Sequence, residues 1–104
     1  MKTEFIVMTA AAPMPAPCKG RYGKVAVCEV KTGAKPKMIS KHARGIVRIV
    51  SLRQPLHMGG PRSDFAKAKA DAERLARGLN LEASMKRADA FVDSIVEVPY
   101  DHEH

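Results

Sequence analysis

The feature that most constrains the fold is an apolar stripe at helical spacing in the second half of the chain. Apolar side chains recur at intervals of three and four, which places them on one face of an α-helix: Phe65, Ala68, Ala72, Leu75, Ala76 and Leu79. Ser63 or Asp64 can cap the first turn. Gly78 can adopt the left-handed conformation that ends a helix. The sequence therefore predicts an amphipathic helix over residues 63–77, with a face of small side chains that packs closely on a sheet.

Three segments rich in β-branched residues precede this helix. Residues 2–9, 22–31 and 45–53 are predicted to be strands. The second has apolar side chains on both faces, which predicts a central position in the sheet or a cover on both sides. Residues 10–20 contain three prolines and are predicted to form an Ala/Pro loop or extended connection. Residues 37–41 could add a short strand.

After the long helix, the pattern predicts a short helix to about Phe91, with Asn80 as its cap, and then a last strand ending at Pro99. The last strand is expected to join the sheet, and residues 100–104 to form a flexible tail. The whole chain, residues 1–104, is expected to be one domain. The predicted fold class is a small two-layer α+β domain, with three to four mainly antiparallel strands and one long amphipathic helix packed on one face.

The sequence shows no export signal and no membrane span. Glu4 and the three prolines interrupt the only apolar segment near the N-terminus, so it does not match a signal peptide. The two cysteines, Cys18 and Cys28, are too few for a disulfide framework. We expect both to be reduced thiols in a cytoplasmic protein, with Cys28 in the core.

No catalytic or metal-binding motif is evident. His42 and His57 lie in predicted loops, and His102 and His104 lie in the tail. Residues 101–104 could each supply a metal ligand, but consecutive residues of a flexible tail do not define a coordination geometry for one ion. We therefore expect a protein that is not an enzyme, with no cofactor and no metal.

The charge of the chain is concentrated in its first part. Residues 1–61 contain eleven Lys and Arg against two Asp and Glu, a formal charge of +9, whereas residues 62–104 carry −2. Such asymmetry indicates a polyanionic partner. We expect the basic residues of strand ends and loops to converge on one edge of the sheet: Lys19, Arg21, Lys24, Lys31, Lys35, Lys37, Lys41, Arg44 and Arg48, with Arg53 beyond them.

These observations predict a non-enzymatic binding protein that engages nucleic acid or a nucleoprotein complex through phosphate contacts. The alternative is a small protein-interaction module or inhibitor that binds an acidic protein surface, as expected of a phage or plasmid accessory protein of the anti-CRISPR type. A homodimer is compatible with either hypothesis, and a membrane partner is not expected.

Overall fold

The structure, a computed structural model, describes residues 2–13, 21–56, 62–83 and 95–100. Its elements follow the order β1 (Thr3–Pro13), β2 (Arg21–Lys31), β3 (Ile46–Arg53), α1 (Asp64–Ala83) and β4 (Val96–Glu97). The strands form one mixed sheet in the order β3-β2-β1-β4. α1 packs on one face of the sheet, which confirms the predicted two-layer α+β fold.

The two central strands, β1 and β2, form a long antiparallel pair. They pair along their full length, from Thr3 opposite Lys31 to Pro13 opposite Arg21. In β2, which lies between β3 and β1, side chains are buried on both faces, with Val25 and Val27 on one and Ala26 and Cys28 on the other. This confirms the predicted central position of β2.

The strand β1 continues four residues past its predicted end at Thr9. Ala10 and Ala12 are buried in it, so the segment predicted as a loop from residue 10 begins as strand. Pro13 is tolerated because it is the last residue of the strand. Residues 14–20 lie outside the described part of the chain.

β3 is the edge strand next to β2, and its pairing is antiparallel with two irregularities. Val47 and Val50 have no partner in the ladder, as expected of β-bulges. The predicted short strand at residues 37–41 is wrong. That segment forms bends instead, and Ile39 packs into the core.

The last strand, β4, pairs in parallel with β1 at Met8 and Thr9. This confirms that the C-terminal segment adds to the sheet, and Val98 N–H extends the pairing with a 2.8 Å hydrogen bond to the Thr9 carbonyl. The short helix predicted after residue 80 falls mostly on residues 84–94, which lie outside the described part.

α1 starts where the sequence predicts and ends later. The Ser63 hydroxyl accepts a 3.1 Å hydrogen bond from Ala66 N–H, so Ser63 is the N-cap. The predicted end at Gly78 is wrong, since Gly78 has no positive φ and the helix continues to Ala83. No helix within the described ranges is long and apolar enough to cross a membrane.

Asn80, in the extra turn of α1, explains why the helix continues. Its side chain is almost fully buried and pairs with the backbone of Phe5. Phe5 N–H donates to Asn80 Oδ1 at 2.9 Å, and Asn80 Nδ2 donates to the Phe5 carbonyl at 2.8 Å. The side-chain amide of Asn80 thus pairs with the N–H and the carbonyl of Phe5, as the backbone of a neighbouring strand would.

This pairing also sets the rotation of α1 on the sheet. Ala68, Ala72 and Ala76 are buried against β1 and β2. Leu75 was predicted to share their stripe, but it is 39% exposed. At about 100° per residue, Leu75 lies at the border of the buried alanine face, on the side opposite to Asn80.

Two apolar clusters hold the sheet, one on each face. Phe5, Val7, Val25 and Val27 pack against α1. The cluster on the other face contains Cys28, which is a free thiol. Cys28 is fully buried, which confirms the prediction that it is a core residue. Burial raises the pKa of its thiol to about 11.

We predict that Asn80→Ala destabilises the protein by about 2–4 kcal/mol. The substitution removes two hydrogen bonds and leaves the Phe5 N–H and carbonyl buried without partners, each of which is costly. Urea unfolding, followed by circular dichroism, measures the change in the free energy of unfolding.

The matched control is Gly78→Ala, two residues earlier in the same helix. A Cβ at Gly78 meets no atom within 4 Å, so alanine should stabilise the helix by about 0.5–1 kcal/mol. A stable Asn80→Ala variant, or a destabilised Gly78→Ala variant, would contradict this placement of the last helical turns.

Candidate basic binding site

The connection between β2 and β3 is a closed loop, which we call the basic loop (residues 31–45). Its two ends meet, because Lys31 N–H donates a 2.9 Å hydrogen bond to the Gly45 carbonyl. Ala34 N–H donates to the Lys31 carbonyl at 2.8 Å, closing a turn in which Gly33 has a φ of 84°. A compact loop with adjoining ends is typical of surface loops that carry function.

Internal contacts hold the rest of the basic loop in place. Pro36 and Ile39 are buried, and Ile39 joins the core cluster on the face away from α1. Ala43 N–H donates to the Ser40 carbonyl at 2.9 Å. Gly45 has a φ of 93°, and a Cβ there would lie 2.6 Å from Ala34 Cβ. The conformation therefore requires glycine at residue 45.

The basic loop exposes five cationic side chains and no acidic one. Residues 30–47 contain no Asp or Glu. No ion pair joins any of the five cations to another residue of the described ranges. The five are Lys31, Lys35, Lys37, Lys41 and Arg44.

Lys2 is a further cation at this end of the sheet, and it is absent from the set predicted from the sequence. It is exposed, and its carbonyl accepts a 3.1 Å hydrogen bond from Thr32 N–H. An antiparallel pairing of the first two strands places the start of one beside the end of the other. Antiparallel pairing of the first two predicted strands therefore places Lys2 beside Lys31, and this could have been inferred from the sequence.

The structure does not bring all the predicted basic residues together. Arg21 and Lys24 lie near the start of β2, while Lys31 is at its end. At about 3.3 Å per residue, seven to ten residues of strand separate the two groups by roughly 23–33 Å. The expected convergence of both segments on one edge is therefore wrong. Lys19 and the Arg21 side chain lie outside the described part.

Lys24 is an interior residue and does not contribute to a basic surface. Its side chain is only 3% exposed. Its ammonium group lies 4.7 Å from the centre of the Tyr100 ring, and that ring packs edge-to-face on Tyr22 with centroids 4.8 Å apart. A cation on an aromatic face is stabilised there, so Lys24 anchors the segment after β4.

Arg48 is exposed but is already paired across the sheet. Its Nε lies 2.8 Å from Glu29 Oε1, and Thr3 Oγ1 donates to Glu29 Oε2 at 2.6 Å. The hydrogen bonds from Thr3 and Arg48 hold the pKa of the Glu29 carboxyl below its ordinary value. The carboxylate therefore offsets the charge of Arg48.

Arg53 is paired in a similar way at the far end of β3. Its Nη1 lies 2.7 Å from Asp71 Oδ2, and Arg74 binds the other carboxylate oxygen. Arg53 and then Arg74 lower the pKa of Asp71. Arg53 and Asp71 border a shallow groove of about 510 Å³, which Asp64 and Lys67 also line. The charges of this groove are mixed, unlike those of the basic loop.

No protein-family model, no curated protein and no solved structure matches this chain.

The histidines and cysteines form no evident reactive constellation in the described residues. His42 is exposed on the basic loop, and Cys28 is in the core. No group of three His, Cys, Asp or Glu side chains lies close enough to hold a metal within the described ranges. His57, Cys18 and residues 101–104 lie outside them. What the basic loop offers chemically is a fixed set of hydrogen-bonding cations, suited to an anionic ligand.

We predict that Gly45→Ala distorts the basic loop and destabilises the protein by about 2 kcal/mol or more. Alanine is strained at positive φ, and its Cβ would overlap Ala34. Thermal unfolding measures the loss, and amide hydrogen exchange at Lys31 reports the opening of the loop ends.

Gly33→Ala is the matched control. It also has a positive φ, but a Cβ there meets no atom within 4 Å. Only the backbone strain remains, and the expected loss is about 1 kcal/mol. Equal losses of stability for the two variants would show that the overlap of the new Cβ with Ala34 adds no cost. The close approach of Gly45 to Ala34 would then not hold the loop in place.

Proposed function

We propose that this is a non-enzymatic binding protein that holds nucleic acid, alone or within a nucleoprotein, by contacts between the basic loop and phosphate groups. The observation that supports the proposal is the closed loop with five exposed cations and no carboxylate partner among the described residues. Contacts of Lys and Arg with phosphate supply most of non-specific affinity for nucleic acid.

The chemistry of the loop favours backbone contacts over base recognition. Residues 31–45 contain no Phe, Tyr or Trp on which a base could stack. Lysine and arginine on a loop can position a protein on phosphates without reading the sequence. We therefore propose binding that is independent of sequence. The reduced thiol of Cys28 in the core supports placing the protein in the cytoplasm.

The alternative partner is an acidic protein surface, bound by the same cations as an inhibitor or interaction module would bind it. Both partners would respond to the loss of loop charge. Only nucleic acid releases condensed counterions, which gives a steep linear dependence of log K on log salt concentration. Salt dependence measured on nucleic acid therefore decides between them.

We predict that the triple variant Lys35→Glu, Lys37→Glu, Lys41→Glu weakens nucleic-acid binding by about tenfold or more at low salt. Its melting temperature should stay close to that of the parent, since exposed unpaired charges contribute little to stability. Fluorescence anisotropy with labelled oligonucleotides, repeated over a salt series, measures the affinity and its salt slope.

The matched control reverses three exposed cations of α1: Lys67→Glu, Arg74→Glu and Arg77→Glu. It changes the net charge by the same amount as the loop variant. It therefore shows whether affinity depends on the loop cations or only on the total charge of the protein. We expect it to lose much less affinity than the loop variant. Equal losses would refute the basic loop as the site, and parent protein that binds no nucleic acid at low salt would favour the acidic protein partner.

A further inference from the structure

We infer that the basic loop selects the phosphate backbone of a nucleic-acid duplex over single strands, with a footprint confined to the loop end of the sheet. This inference rests on the proposed function and specifies its ligand. Three features support it: the fixed shape of the loop, the location of the aromatic rings, and the pairing of the arginines of β3.

The first feature is the fixed shape of the loop. The hydrogen bond between Lys31 and Gly45, the close approach of Gly45 to Ala34, and the buried Ile39 hold the backbone that carries the five exposed cations in one conformation. A duplex presents one phosphate charge per about 1.7 Å of its axis, from both strands. Cations on one short, fixed loop can therefore meet several phosphates of a duplex at once. A single strand would have to be ordered around the loop, which costs conformational entropy.

The second feature is the distance between the loop and the described aromatic side chains. Proteins that bind single strands without sequence preference stack bases on aromatic rings. Phe5 is buried beneath α1, and Phe65 packs against the same cluster. Tyr22 and Tyr100 pack on each other near the start of β2, at the opposite end of the sheet from the loop. The loop therefore offers no described aromatic surface on which bases could stack. A single strand would bind through its phosphates alone, and its charge density is lower than that of a duplex.

The third feature limits the footprint. Beyond the loop, the exposed cations of β3 are Arg48 and Arg53, and each is held within 2.8 Å of a carboxylate, Glu29 or Asp71. The Arg48–Glu29 pair has no net charge, and Asp71 offsets part of the charge of Arg53 and Arg74, which share it. The positive field is therefore weaker along β3 than at the loop. The binding site is the loop, together with Lys2 beside it.

The test compares duplex DNA and duplex RNA of mixed sequence with each of their separate strands, by fluorescence anisotropy at one low salt concentration. Both duplexes should bind at least about tenfold more tightly than any separate strand, because their charge density is higher. Equal or tighter binding of the single strands would overturn the inference while leaving the proposed function in place. Absence of binding to every probe would overturn the proposed function itself.

A charge-neutral variant tests the footprint: Arg48→Gln with Glu29→Gln, and Arg53→Gln with Asp71→Asn. It removes two cations and two anions, so the net charge is unchanged. If the footprint is confined to the loop, duplex affinity should stay within about twofold of the parent, as expected when matched surface pairs are removed. A loss as large as that of the Lys35, Lys37 and Lys41 variant would show that the duplex lies along β3.

Discussion

The fold depends on the paired hydrogen bonds between the Asn80 side chain and the Phe5 backbone. A strand next to the edge of a sheet must satisfy its N–H and carbonyl groups, and β4 does this for β1 only around Met8 and Thr9. At Phe5 the amide of Asn80 takes the place of a neighbouring strand. Because the amide is buried, these bonds are costly to break, and they fix both the rotation of α1 and its extent along the sheet.

This constraint has consequences for the surface. With Asn80 facing β1, the small face of α1 lies over β1 and β2, and Leu75 is turned to the exposed flank. α1 runs towards the end of the sheet where β1 begins and β2 ends. The basic loop leaves the sheet at that end, anchored through its own neck and through Ile39 on the opposite face. Its cations therefore project from a supported frame.

Much of the fold could be predicted from the sequence, because it follows local rules. Alternation of β-branched residues located the first three strands, and Ser63 located the start of α1. The rules failed where a distant contact decided the outcome. Gly78 has the chemistry of a helix end, but the contact of Asn80 with Phe5 keeps the helix going. Residues 10–13 resemble a loop, but pairing with Arg21 through Lys24 makes them strand.

The candidate site was only partly predictable for the same reason. The sequence alone places the cations of residues 31–44 in one segment without an acidic residue, and the structure shows their side chains exposed on a loop. It did not show that Lys24 is buried beside Tyr100, or that Arg48 is paired with Glu29. It also missed Lys2, which joins the loop through strand pairing. Which cations remain without carboxylate partners is a property of the folded chain.

We propose that the basic loop, and no other described surface, is where this protein meets its partner. The most direct test is a titration of the ¹⁵N-labelled protein with a nucleic-acid duplex, followed by two-dimensional NMR. We expect the amide signals that shift to belong to residues 31–45 and Lys2, while those of Arg53 and of the exposed side of α1 stay in place. Shifts concentrated on α1 or along β3, with the loop signals unmoved, would contradict it.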